Sequence, residues 1–243
     1  MEGREKSMND RALKFGLIFV GLGAVLSLFA AFAGETFRAP KEASAPIQST
    51  PLVLDTPAAG ASAAALTIYE IRPEESEVSF TLGEILRGVP TAVIGKTDQV
   101  AGQFAFDFAD MSTAKVGTIQ INARTLLTDN NFRNKAIRNR ILFTDAFEFI
   151  TFEPTAVTGL PDSISVGDKV EFQITGDLTV RDSTSEVTFD VTATAVSPDR
   201  IEGAATATVM RQQFNLQIPS VSGVADVDEE VILQLDFVAE AME

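Results

Sequence analysis

Acyl transfer, thiol chemistry and most zinc chemistry begin at cysteine or histidine, and this chain of 243 residues has neither. Disulfides, thiolate nucleophiles, zinc fingers and any Ser-His-Asp or Cys-His site within it are therefore excluded. Carboxylates remain, in two candidate pairs: Asp107 with Asp110, and Glu229 with Glu230. General acid–base hydrolysis needs two carboxyl groups converging on one pocket. Adjacent Glu229 and Glu230 would face opposite sides of a strand, and acidic pairs arise readily among 34 acidic residues. No catalytic residue, metal-ligand set or cofactor is predicted, and the chain reads as a non-enzyme. The densest basic cluster is Arg133, Lys135, Arg138 and Arg140. It is either a solvated helix face or a site for an anionic head group, in which Arg133 and Arg138 would make the contacts.

The elements that would position these groups are mostly strands. From Lys169 to Val180, Val170, Phe172, Ile174, Leu178 and Val180 alternate with polar residues. After Arg181–Ser185, Val187, Phe189, Val191, Ala193 and Ala195 do the same. A period of two with a polar turn between predicts an antiparallel hairpin with one face buried. Further strands are predicted at Thr67–Arg72, Glu77–Gly83, Val100–Phe108, Gly117–Arg124, Phe147–Phe152, Arg200–Met210 and Glu230–Glu240. Thr91–Lys96 reads either as a short strand or as part of a loop from Glu84 to Asp98, and Ser222–Asp226 as a further strand. Pro154–Gly167 reads as a turn-rich connection. The one break in β character is Asp129–Leu142, where Phe132, Ala136, Ile137 and Ile141 recur at helical spacing. Asp129 is its expected N-cap. The prediction is an all-β domain of about eight strands with one internal short helix, either a closed antiparallel barrel or a two-sheet sandwich.

The N-terminal quarter differs. Phe15–Ala33 carries no charge over 19 residues, the length of a membrane-crossing helix. Behind the basic Met1–Lys14 end it reads as a membrane anchor or as a signal peptide ending at Ala31-Phe32-Ala33. Either way the remainder is delivered across a membrane, to an extracytoplasmic (periplasmic or cell-surface) location. Residues 34–65 are rich in Ala, Pro, Ser and Thr without a period, which predicts a flexible linker. The domains expected are thus 1–33, 34–65 and 66–243. The net charge of −15 repels phosphate backbones and argues against a nucleic-acid partner.

The inward faces of the strands differ in bulk. Phe80, Phe104, Phe106, Phe172 and Ile174 would fill what they point at, whereas Ala193, Ala195, Gly203, Ala205 and Ala207 fill little. Either the phenylalanines occupy that space from opposite, or an apolar guest does, since packed interiors tolerate few large voids.

Several segments carry a resemblance in the same order along the chain. They are Tyr69-Glu70-Ile71, Val100-Ala101-Gly102-Gln103-Phe104, Ile121–Asp129, Phe149-Ile150-Thr151-Phe152, Ile174–Arg181 with Val187-Thr188-Phe189, and Met210–Leu216. Together they make the domain from about Tyr69 to Glu240 resemble the YceI-like family. The resemblance implies an eight-stranded antiparallel, lipocalin-like barrel, export from the cytoplasm, and in some members a long isoprenoid chain bound inside. Glu75-Ser76 stands where many members have His, Gln213 where Asp is usual, and Asp182 where Gly is common. Polar head-group contacts are therefore not carried over, only an apolar face.

The leading reading is an exported, membrane-tethered protein that holds an isoprenoid or other lipid-like molecule. Its expected lining is Phe80, Phe104, Phe106 and Ile121 from the first strands, and Phe172, Ile174, Leu178, Phe189 and Val191 from the central hairpin. The alternative is a solidly packed interaction module whose acidic surface is the working face.

Overall fold

The computed structural model describes residues 39–54, 66–220 and 222–242. Its described core is one antiparallel sheet of thirteen strands with a single short α-helix. The strands are β1 (Thr67–Ile71), β2 (Glu77–Leu86), β3 (Val89–Thr97), β4 (Val100–Ala101), β5 (Gln103–Asp107), β6 (Asp110–Val116) and β7 (Ile119–Asn122). After the helix come β8 (Phe149–Thr158), β9 (Lys169–Val180), β10 (Ser183–Ser197), β11 (Arg200–Met210), β12 (Val224–Ala225) and β13 (Glu230–Ala241).

The expected central hairpin is β9 and β10, paired from Ser183↔Val180 to Thr194↔Lys169. Its turn is only Arg181-Asp182, with Arg181 at φ 61°, shorter than the Arg181–Ser185 reversal expected from composition. On its outer face Thr175 pairs hydroxyls with Thr188, and Thr179 with Thr184, both at 2.8 Å. β10 continues into β11, and β11 into β13 through the register Arg200↔Glu240 to Met210↔Glu230.

The sheet curls. Strand order runs β4-β7-β8-β9-β10-β11-β13-β1-β5-β6, and the free edge of β13 is shared between β1 and β2. Gly102 alone separates β4, which pairs β7, from β5, which pairs β1. The strand count is thirteen and not about eight because Gly102 splits one expected run into β4 and β5, and because β3, β6 and β12 are strands as well. Pro73-Glu74-Glu75 forms a 3₁₀ turn between β1 and β2, where a turn is expected.

Of the two alternatives for Thr91–Lys96 the strand is found, and two other sequence expectations change. Glu84–Asp98 is no loop: β2 and β3 form a hairpin from Val78↔Thr97 to Leu86↔Val89, turning at Arg87 (φ 51°) and Gly88 (φ 82°). Pro90 is tolerated because, among the described residues, β3 pairs with no strand but β2 and so lies at an edge. β8 runs on to Thr158 through Pro154, where the register with β9 shifts in a bulge. The internal helix is α1, Asn131–Ala136, followed by a π turn at Ile137–Ile141. Its N-cap is Asn130, whose side chain accepts from the Phe132 and Arg133 amides, and not Asp129, which pairs instead with Arg133 at 2.6 Å.

The linker expected over 34–65 also differs where it is described. Lys41 donates its amide to Asp145 at 2.9 Å, and Ser44 donates its amide and hydroxyl to Glu148. Leu52 donates to the Gln103 side chain at 2.8 Å, and Ile47 is buried. Residues 39–54 are thus a strap fastened to the sheet, while the expected anchor at 15–33 lies outside the described residues. Among the described residues no helix is long and apolar enough to cross a membrane.

Candidate functional site

The inward side chains form two apolar clusters. One gathers Ile137, Phe152, Leu178, Val180, Val209 and Phe214; the other gathers Tyr69, Ile71, Val100, Phe106, Met111 and Ala239. Between them lies a pocket of about 230 Å³. It is contained by side chains from β1, β2, β5 to β11 and β13, with Leu160 and Ile164 added by the loop after β8. That loop is held by two backbone hydrogen bonds of 2.9 Å, Met111 to Asp162 and Ile164 to Phe108.

Alternation along the strands places all nine side chains expected to form an apolar lining in the wall of this pocket. Phe80 comes from β2, Phe104 and Phe106 from β5, and Ile121 from β7. Phe172, Ile174 and Leu178 come from β9, and Phe189 and Val191 from β10. The small inward residues take part in two ways. Ala193, Ala195 and Ala205 line the pocket, so its wall there is a row of methyl groups. Gly203 is instead covered by its cross-strand partner: a Cβ at Gly203 would lie 2.7 Å from the Phe237 ring. Phe80 covers Gly95 in the same way. The aromatic rings therefore occupy part of the space that the small residues leave, but not all of it.

Ring contacts stiffen the wall. Tyr69 stacks on Phe104 at 5.5 Å and on Phe106 at 4.9 Å, and Phe152 meets Phe189 edge-on at 5.0 Å. The Tyr69 hydroxyl donates to the Pro198 carbonyl at 2.6 Å. Burial, with Asp199 nearby, pushes its pKa up to about 12. Sequence reasoning does not single out Tyr69 as a support of the wall, nor Met111, Leu126, Leu160 or Ile164 as part of it. Leu126, Leu160 and Ile164 sit in corners and loops, where no period marks an inward face.

Neither arginine expected at a head group lines the pocket. Arg133 pairs with the buried Glu84 at 2.8 Å and with Asp129. Arg138 donates to the Arg124 carbonyl at 3.1 Å and to the Asn134 carbonyl. Arg133 fastens the helical corner to β2, and Arg138 ties it to the turn that follows β7. Three of the four carboxylates considered as acid–base pairs are also structural. Asp107 and Asp110 accept from the Ala109 and Ser112 amides in the β5–β6 turn, and Glu229 holds Arg211 at 2.6 Å. Among the described residues no group of three or more Asp and Glu is arranged to hold a metal ion. An apolar wall with no convergent charged groups can take up an apolar molecule by burial alone.

Comparison with known proteins agrees with this geometry. The YceI-like domain model matches residues 69–239. UPF0312 protein SAB2563 of Staphylococcus aureus (strain bovine RF122 / ET3-1) is 31% identical over 131 residues, 51% of this chain and 69% of that protein. Among solved structures, a polyisoprenoid binding domain from Saccharophagus degradans superposes with a TM-score of 0.57 at 13% identity, over 72% of this chain and 98% of that one. Burkholderia cenocepacia BcnA gives 0.54 at 22% identity, over 69% and 98%. At such identities the likeness concerns the fold.

Proposed function

The chain belongs to the YceI-like domain family, and we propose that it binds a lipid-like molecule, an isoprenoid or polyprenyl chain, in the apolar pocket inside its curled sheet. It does so for carriage or sequestration, without covalent chemistry. The observation that carries this reading is a pocket of about 230 Å³ walled mainly by Phe, Ile, Leu, Val and Ala. The polyisoprenoid ligand of the Saccharophagus neighbour supports the choice of an isoprenoid. In the same reading ten of the strands act as eight long runs, β1 with β2 and β4 with β5 each counting as one, that close into a barrel with β3, β6 and β12 outside it, supported by the single-residue separation of β4 and β5. Residues 15–33 take the chain across a membrane and hold it there, which puts the domain on the extracytoplasmic side.

The volume limits the guest. Pockets for drug-sized ligands measure roughly 300–1,000 Å³, so about 230 Å³ suits one slender chain and not a bulky ring system. Each buried CH₂ contributes roughly 0.8 kcal/mol, so ten carbons give about 8 kcal/mol before the costs of association. Protein purified without detergent is expected to release a stoichiometric hydrophobic compound on solvent extraction, identified by mass spectrometry. A lipid-free preparation that also fails to take up prenyl quinones would overturn the reading. Ala205→Phe, which puts a ring into the methyl-lined wall, is expected to abolish uptake while leaving the circular dichroism spectrum unchanged.

A second reading has one observation in its favour: Phe80 and Phe237 already cover Gly95 and Gly203 and take up interior space. In it the residual volume is packing space, and the acidic exterior binds a protein partner. Exclusion of apolar fluorescent probes from native protein separates it from the first.

A further inference from the structure

We infer that the helical-corner end of the domain rests on the membrane, with an anionic lipid surface as its partner and Phe132 inserted in it. This rests on the proposal that residues 15–33 hold the chain at a membrane. Six residues, 34–39, separate Ala33 from Pro40. Fully extended they reach about 20 Å at roughly 3.4 Å each. A flexible linker running to residue 65 would let the domain wander about five times as far. The strap prevents that, because Lys41 is fastened to Asp145 and Ser44 to Glu148. Both partners lie in the corner between α1 and β8. Whatever holds Ala33 therefore holds this end of the domain on the shortest tether.

The same end is built for a lipid surface. Phe132 is 77% exposed on the first turn of α1, and Leu127, paired with Lys96, is 53% exposed. Phe143, under the Arg181 guanidinium, and Phe149, opposite Asn122, are also exposed. Aromatic side chains at one end of a domain are suited to an interface that is wet on one side and apolar on the other. Charge agrees. Residues 124–142 contain five basic side chains and one acidic one, in a chain whose net charge is −15. Arg124 and Arg133 are neutralised by Glu148 and Glu84, yet the stretch together with those two partners keeps a net positive charge, which an anionic bilayer attracts. The arrangement also bears on the pocket, because Leu126 lines it and the next residue, Leu127, is exposed at the proposed contact.

The absence of tryptophan makes the test direct. The full-length chain carrying Phe132→Trp is reconstituted into vesicles of equimolar phosphatidylcholine and phosphatidylglycerol, with and without brominated acyl chains. The control is Val196→Trp, exposed at the far end of β10. The indole of the Phe132→Trp protein is expected to shift its emission to shorter wavelength and to be quenched by the brominated lipid. That of the Val196→Trp protein is expected to do neither. Adding Lys135→Glu, or replacing phosphatidylglycerol by phosphatidylcholine, is expected to reduce the quenching. Vesicle-bound Phe132→Trp protein that is no more quenched than the Val196→Trp control overturns the docking alone. Protein left in the supernatant overturns both the docking and the membrane attachment on which it rests.

Discussion

Glu148 is the residue on which three segments meet. It accepts from the Ser44 amide and hydroxyl, from the Asn122 side chain at 3.1 Å and from Arg124, 2.6 Å away, and both ionic side chains are almost buried. Burial works against its charge, but the Ser44 and Asn122 hydrogen bonds and the Arg124 guanidinium outweigh it and hold the carboxyl below the ordinary range. Breaking such a pair leaves Arg124 uncompensated, so Glu148→Gln is expected to cost about 3 kcal/mol at pH 7, read by urea denaturation. A carboxyl whose folded pKa is depressed contributes stability above its unfolded value, near 4.3, and loses it as pH falls through the folded one. The gap between wild type and Glu148→Gln should therefore narrow below about pH 4. Tyr69 runs the other way. Its pKa is pushed up to about 12 by burial, so its neutral form adds stability below about pH 10 that is lost as pH rises from there towards 12. It is the one tyrosine in the chain, so ultraviolet titration of phenolate reads it alone. A midpoint near the ordinary value of about 10 in folded protein would contradict the buried, hydrogen-bonded hydroxyl.

At the scale of elements, the legible parts are those in which local pattern and tertiary role coincide. β9, β10, β11 and β13 alternate cleanly, bury one face, and are readable to within about three residues. The nine side chains in phase on such strands, Phe172 and Val191 among them, all reach the pocket wall. β6 escapes because Asp-Met-Ser-Thr-Ala-Lys-Val has no apolar period, although Met111 is buried and the strand pairs with β5. The strap escapes for a related reason. Ala, Pro and Ser at 39–54 bury little themselves, and the groups that hold them, Asp145, Glu148 and Gln103, come between 51 and 104 residues later. Gly176 shows how tightly the sheet is set where β8 bulges at Pro154. A methyl there would lie 2.5 Å from the Glu153 carbonyl oxygen and 2.8 Å from the Pro154 Cα, both backbone atoms that cannot swing aside. Gly176→Ala is expected to destabilise the domain by roughly 1–3 kcal/mol, measured by urea denaturation, despite the general gain that alanine gives over glycine in the unfolded chain.

For the whole molecule, what matters is that the pocket crosses the middle of the core. Its wall draws on both apolar clusters, so a guest would touch the packing of nearly every strand at once. A molecule bound only by the folded state stabilises it by RT ln(1 + [L]/Kd), about 2.7 kcal/mol at a hundredfold excess over Kd. For a domain of about 150–250 residues that raises Tm by roughly 5–11 °C. Solvent-extracted, refolded protein is thus expected to melt several degrees below protein purified with its guest, and adding back prenyl chains should restore the difference. The restoration is also expected to depend on length. Each further buried CH₂ adds roughly 0.8 kcal/mol only while it is inside, and a volume of about 230 Å³ is soon filled. A series of prenyl alcohols of rising length should therefore raise Tm in steps and then stop. If Ala205→Val brings that plateau at a shorter chain than in the wild type, the end of the bound chain lies against the methyl-lined wall. A Tm that is unmoved by every member of the series would leave the interior as packing space, and the acidic exterior as the surface that works.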